Sequence, residues 1–162
     1  ANDLGNLAQR TRGVVAKKCE GMIPGRGEAS VEDTRVGARV AVLPQLRASQ
    51  MERCALTDAL EDVWKVIRAC NAYIDHQAPW ALRKTDTVRM ASVLRVLLDA
   101  LRGIATVLQP FMPQTMERML DQLAVQPDER TLAALETALP AGRALPAPQG
   151  LFPRYVEPEA TA

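Results

Sequence analysis

Residues 56–77 read LTDALEDVWKVIRACNAYIDHQ, and within them Leu56, Leu60, Val63, Ile67, Cys70 and Ile74 follow at steps of four, three, four, three and four. That period puts all six on one side of an α-helix, the pattern of a helix that buries a stripe against a neighbour. Pro79 bars Ala78 from right-handed helical dihedrals, so the helix is predicted to end near His76 or Gln77. The pattern recurs in Met90, Leu94, Leu97, Leu101, Ile104 and Leu108, stopped by Pro110. Two long amphipathic helices joined at a proline corner therefore form the centre of the chain.

Working outward, Asn2 or Asp3 opens a first helix that runs to about Glu20, with Leu4, Leu7, Val14 and Val15 as a partial stripe. Gly13 weakens it by roughly 1 kcal/mol relative to alanine, so it needs tertiary support. GMIPGRGEA at 21–29 is a loop by composition. Ser30 caps a second helical segment with Glu32 and Asp33 in its first turn, and Pro44 kinks or restarts that segment. Pro113 opens a short helix carrying Met116, Leu120 and Leu123, and Asp128 is expected to cap another with Leu132, Leu135 and Leu139. No segment alternates with period two over strand length, so the fold reads as all-α, an antiparallel bundle of about five helices over residues 1–139. Five prolines from Pro140 onward make 140–162 an extended tail that packs on the bundle, with Leu151 and Phe152 as its anchors.

The 162 residues suffice for one domain, and 48% hydrophobic with 24% charged residues is globular composition. Lysine and arginine total 20 against 19 acids, a net charge of +1 that excludes a strongly cationic coat. The charge is uneven, at +3 over residues 1–26, +3 over 83–102 and −3 from Asp121 onward. Solvated helix faces and a phosphate-contacting surface both fit that pattern. Cys19, Cys54 and Cys70 form no C-x-x-C pair, which fits a reducing cytoplasm. Nothing reads as a membrane span or a secretory signal. The chain starts at alanine inside a helical pattern, as a piece of something longer would.

Catalytic constellations are missing. His76 is the only histidine, so no two-histidine metal motif can be written, and the glycines match no phosphate-binding loop. Ser30, Ser49 and Ser92 stand in no nucleophile elbow. Asp75 and His76 are neighbours on a helix, where side chains diverge by about 100°, so they are poorly placed to share a proton. Residues suited to reading a nucleic acid are present instead. Asn6 and Arg10, four apart, share a helix face and offer donors and an acceptor that fit a splayed base edge or plain solvent. Trp80 follows the helix-ending proline at a corner, as a packing plug or as a platform for an unstacked base. Trp64 lies one position off its stripe and reads as core.

Residues 2–10 (NDLGNLAQR), 63–84 (VWKVIRACNAYIDHQAPWALRK), 101–113 (LRGIATVLQPFMP) and LFPR at 151–154 together resemble the C-terminal helical domain of bacterial methionyl-tRNA synthetase, a class I enzyme. The resemblance covers essentially the whole chain in order. It implies an α-helix bundle that binds the anticodon of methionine tRNAs, with Asn6 and Arg10 touching exposed anticodon bases and Trp80 stacking on the first of them, cytosine. Lys17, Lys18, Arg83 and Lys84 are the expected tRNA backbone contacts. Neither H-I-G-H nor K-M-S-K-S occurs, so this chain alone is expected to be inactive. The resemblance implies ATP and Mg2+ for the parent enzyme, zinc in an insert that many members carry, and no cofactor here. The implied partners are tRNA(Met) and the enzyme's own catalytic domain, in a cytoplasmic monomer. The competing readings are the related bundle of a cysteinyl, leucyl or valyl enzyme, and a helical protein–protein module.

Overall fold

The computed structural model describes residues 2–152 of the chain. It is all-α. Helix α1 spans Asn2–Lys18, α2 Val31–Ala41, α3 Leu43–Glu52, α4 Leu56–Gln77, α5 Pro79–Leu82, α6 Thr87–Leu108 and α7 Pro113–Gln122. Among the described residues extended pairing is limited to an isolated antiparallel bridge between Met22 and Ala144. No described helix is long and apolar enough to cross a membrane.

Helix α6 is the central post. Met90, Leu94, Leu97, Leu101, Ile104 and Leu108 are all buried, and so are Val93, Leu98, Ala100, Ala105 and Val107 on its other sides. A helix apolar all round has to be enclosed, and α6 packs against every other helix of the bundle. At Gly103 a Cβ would lie 2.5 Å from Val40 Cγ1, so the missing side chain lets α2 approach α6 closely. Helix α4 buries Val63, Ile67, Cys70 and Ile74 as its period requires. Its first two stripe residues depart from the pattern: Leu56 is exposed and Leu60 half-buried, because α4 starts beyond the edge of the core. Trp64 is half-buried against the core.

The boundaries follow local chemistry. Helix α1 stops at Lys18, two residues early, where Glu20 and Gly21 turn left-handed with φ of 53° and 70°. Ser30 and Asp33 form a reciprocal capping box at the start of α2. Pro44 sits in the first turn of α3, so it restarts a helix after α2 has ended. Asp86 caps α6 by accepting from the backbone N–H of Arg89 at 2.8 Å.

The helix expected from Asp128 to Leu139 does not form. Two 3₁₀ turns, Pro127–Glu129 and Ala133–Glu136, take its place. The carbonyls that an α-helix would turn inward are held by arginines of α6 and beyond. Arg102 donates to the carbonyls of Glu129, Ala134 and Thr137 at 3.1, 2.9 and 2.6 Å, and Arg95 donates to that of Leu139 at 2.5 Å. Leu139 is buried, while Leu132 is exposed, so the apolar spacing had no continuous face to cover. The chain then runs back along α1. Arg12 donates to the carbonyl of Pro146, Leu151 is buried, and Phe152 packs at Gly5, 3.1 Å from where a Cβ would stand. Residues 153–162, and with them the second half of the LFPR segment and the end of the expected tail, lie outside the described residues.

Replacing Arg102 with methionine keeps the volume and strands three carbonyls. Urea unfolding is expected to show a loss of about 3 kcal/mol, and a loss under about 0.5 kcal/mol would contradict this role for Arg102.

Candidate nucleic-acid interface

The site is a corner where α4 stops and the chain doubles back into α6. Pro79 removes the right-handed option at Ala78, which takes φ 42° and ψ 60°. For a non-glycine residue this left-handed conformation costs about 1–2 kcal/mol. Ala78 offsets that by ending one helix and starting the next. Its N–H donates to Ile74 O at 3.0 Å, and its carbonyl accepts from Ala81 N at 2.8 Å. The four-residue α5 that results carries Trp80, which is left 44% exposed.

Helix α1 meets the corner from the side. Asn71 of α4 donates to the carbonyl of Asp3 at 3.0 Å and thereby fixes the start of α1 against α4. Two turns along, Arg10 crosses to Trp80, with its Cζ 5.2 Å from the ring centroid, and it also donates to the Asp75 carboxylate. A guanidinium over an indole is a cation–π contact worth about 0.5–1 kcal/mol at an exposed site. Asn6 is exposed one turn before Arg10 on the same face, and among the described residues its side chain has no hydrogen-bond partner. The structure thus brings Arg10 and Trp80 into contact with Asn6 alongside.

The four candidate backbone contacts divide. Arg83 and Lys84 are exposed three and four residues past Trp80. Lys17 and Lys18 sit in the last turn of α1, roughly 10 Å along the axis from Arg10 by helical rise. Lys17 is exposed and Lys18 half-buried. Most other cations of the two basic stretches are not surface groups: Arg12, Arg95 and Arg102 are buried and Arg89 lies largely inside, while Arg26 is exposed and paired with Asp99 at 2.8 Å. Of the outward cations, Arg83 and Lys84 follow Trp80 closely in the chain, while Lys17 and Arg26 lie further off. His76 at the end of α4 faces Glu32, 3.2 Å away.

Beneath the corner lies a polar cluster that sequence reasoning missed. Asp33 of α2 is 4% exposed and accepts from Arg89 Nη1 and Nη2 at 2.6 and 2.7 Å, from the Tyr73 hydroxyl at 2.6 Å and from Ser30 N at 3.1 Å. Arg89 also donates to the Gln77 side-chain carbonyl, from Nη2 at 2.7 Å and Nε at 3.2 Å. Burial alone pushes the Asp33 carboxyl upward, but the bonds from Arg89, Tyr73 and Ser30 outweigh it and hold the group well below the usual carboxylate range. The same contact raises the Arg89 pKa, and burial followed by the bond to Asp33 pushes the Tyr73 phenol up. The contacts of Asp33 with Tyr73 and Arg89 span 40 and 56 positions in sequence, beyond the reach of any local motif.

A cleft of about 660 Å³ lies elsewhere, between α2, α6 and the turn at Ala133–Glu136, and none of Asn6, Arg10 and Trp80 lines it. The candidate residues therefore lie outside that cleft, on an exposed part of the corner.

The depressed Asp33 carboxyl sets an acid limit. In the unfolded chain it binds its proton near pH 3.9, so its stabilisation is complete above about pH 4 and drains away as pH falls below that. Urea midpoints are expected to stay level from pH 7 to 5 and to drop below pH 4, with a shallower drop in Asp33→Asn. Equal slopes for the two proteins would contradict this assignment.

Comparison with known proteins places this corner in context. The family described as "Anticodon binding domain of methionyl tRNA ligase" matches residues 23–161, a span that includes Trp80 and begins after Asn6 and Arg10. The methionine–tRNA ligase of Brucella suis biovar 1 is 45% identical over 158 residues, covering 97% of this chain and 31% of that protein. That of Mycobacterium tuberculosis is 37% identical over 163 residues, covering 98% of this chain and again 31% of the relative. The crystal structure of the apo Mycobacterium tuberculosis methionyl-tRNA synthetase superposes with a TM-score of 0.93 at 37% identity, over 98% of this chain and 33% of that one. The same enzyme in complex with methionyl-adenylate gives 0.92 at 37% identity, over 95% and 31%. This chain spans about a third of the length of the relatives it matches. With a family match over most of its residues and relatives of this similarity, the chain belongs to the family of anticodon-binding domains of methionyl-tRNA ligase.

Proposed function

We propose that the corner formed by Asn6, Arg10 and Trp80 binds the CAU anticodon of tRNA(Met) for a parent enzyme that ligates methionine to this tRNA. The observation that carries the reading is the Arg10 guanidinium held over the half-exposed Trp80 indole, on the face that also displays Asn6. The unstacked first anticodon base lies on the exposed part of the indole, a contact worth about 1–3 kcal/mol. Its Watson–Crick edge then meets a guanidinium already fixed at that ring. Cytosine offers acceptors at O2 and N3, which arginine N–H groups satisfy. Uracil offers N3–H in place of an acceptor, so two donors face each other and one stays unpaired in a partly dehydrated site. Asp75 takes part of the Arg10 fork and holds the rest in one orientation. Arg83 and Lys84 beside Trp80 take backbone phosphates, with Lys17 and Lys18 reaching a more distant part of the stem.

Binding at the anticodon serves to place the acceptor end of the tRNA in the catalytic part of the same enzyme, in the cytoplasm. ATP and Mg2+ belong to that part, since the chain carries neither H-I-G-H nor K-M-S-K-S. The parent is taken to be a monomer. The net charge near zero makes the isolated domain a weak, salt-sensitive binder.

Titration of this chain with a methionine anticodon stem-loop at low salt, followed by tryptophan fluorescence, tests the reading. Quenching is expected, with binding at least tenfold weaker when the first anticodon base is uracil. Trp80→Ala is expected to weaken binding by about 1–3 kcal/mol, and Arg10→Ala is expected to remove the preference for cytosine. Equal binding of both loops, or no effect of either variant, would overturn the assignment of these residues.

A further inference from the structure

The loop that carries Trp80 is tied shut at its base by an amide and a guanidinium, neither of which is at the proposed base-binding surface. Gln77 is the last residue of α4, directly before left-handed Ala78, and Arg89 is in the first turn of α6. Their side chains meet through two hydrogen bonds, 2.7 and 3.2 Å. Twelve positions separate the two residues, and everything between them is the excursion that presents Trp80, Arg83 and Lys84. Both ends of the Gln77 amide are held. Its oxygen accepts from Arg89, and its nitrogen donates to Glu32 of α2. Arg89 cannot swing away, because Asp33 grips it through both carboxylate oxygens.

We propose that Gln77, clamped between Arg89 and Glu32, is a positioning residue that presets the aim of Trp80 relative to Arg10 and so sets the discrimination of the first anticodon base. This rests on the anticodon reading given above. The physical argument is preorganisation. Pro79 and Leu82 seat the four-residue helix on the core, and the Gln77–Arg89 bonds add a fixed base that narrows the orientations left to the ring. A base that needs stacking and two edge contacts together binds only the fraction of molecules in which ring and guanidinium are registered. A base that uses stacking or phosphate contacts alone is indifferent to that register. Loss of the clamp therefore lowers affinity for the cognate loop more than for the wrong one.

The test uses Gln77→Met, which keeps the side-chain length, removes the amide's hydrogen bonds to Arg89 and Glu32 and leaves the Asp33–Arg89 pair in place. Wild type, Gln77→Met and Trp80→Ala are titrated with the stem-loop carrying cytosine and with the one carrying uracil, and each protein's thermal unfolding is recorded. The expected result is a cytosine loop bound about tenfold more weakly by Gln77→Met, as for a tenfold fall in the registered fraction, with the uracil loop bound as before. The double variant Gln77→Glu with Glu32→Gln exchanges donor and acceptor, and it is expected to restore the discrimination. Unchanged discrimination in Gln77→Met would overturn the proposal while leaving the anticodon reading intact. So would an equal loss for both loops, which marks a merely structural role. A wild type that fails to discriminate, or a Trp80→Ala that binds as wild type does, would overturn the anticodon reading and this inference with it.

Discussion

One buried carboxylate organises this domain. Asp33 lies in the first turn of α2, and Arg89 of α6, Tyr73 of α4 and the cap of its own helix all donate to it. Taking a carboxylate out of water costs several kcal/mol, and that is offset when a guanidinium engages both oxygens and further donors complete the shell. The result is a joint among three helices at the end of the bundle where the chain turns. Without it α4 and α6 would still pack along Ile67, Leu97 and Leu101, and Pro79 and Leu82 would still seat α5 on the core, but the polar joint at the base of the corner would be lost. The orientation of Trp80 is therefore a property of the interior as much as of the surface.

The arginines elsewhere follow the same logic with a different acceptor. Arg12, Arg95 and Arg102 are almost wholly buried and spend their donors mainly on backbone carbonyls of residues 129–146. A planar fork of N–H groups can hold several carbonyls at once, which lets an irregular segment lie against a helical core without orphaned oxygens. Arg143 adds a bidentate pair with Glu129, and that bond holds the Glu129 carboxyl at about 2. The net charge is nearly balanced because 19 acids offset 20 lysines and arginines, and several of those arginines serve the interior rather than the surface.

The helices were legible because their signals are local. A four–three period, a proline at 79 and a serine at 30 act within a few residues, and α2, α4, α6 and α7 begin and end close to where those signals stand. Asn6, Arg10 and Trp80 were legible as residue types and, as a set of segments, by resemblance. The resemblance also implied that the three share one pocket, which their spacing alone does not show. The Arg10–Asp75 contact spans 65 positions and depends on α1 lying against α4 at one particular angle. The Asp33–Arg89–Gln77 clamp was invisible for the same reason, since a capping aspartate and a helix-start arginine each have an adequate local explanation. Residues 128–139 misled because leucines at helical spacing say nothing about who will take their carbonyls, and Arg102 sits a full element away.

The central claim is that one face of Trp80 is a base platform set by its surroundings. The most direct measurement is 19F NMR of the chain carrying 5-fluorotryptophan at both of its tryptophans, Trp64 and Trp80, during addition of a stem-loop with the CAU anticodon. Stacking of a base on the exposed indole moves the Trp80 resonance and leaves the core-packed Trp64 resonance in place. A Trp80 signal that stays fixed while the stem-loop binds would contradict the platform, and would move recognition to another face of the bundle.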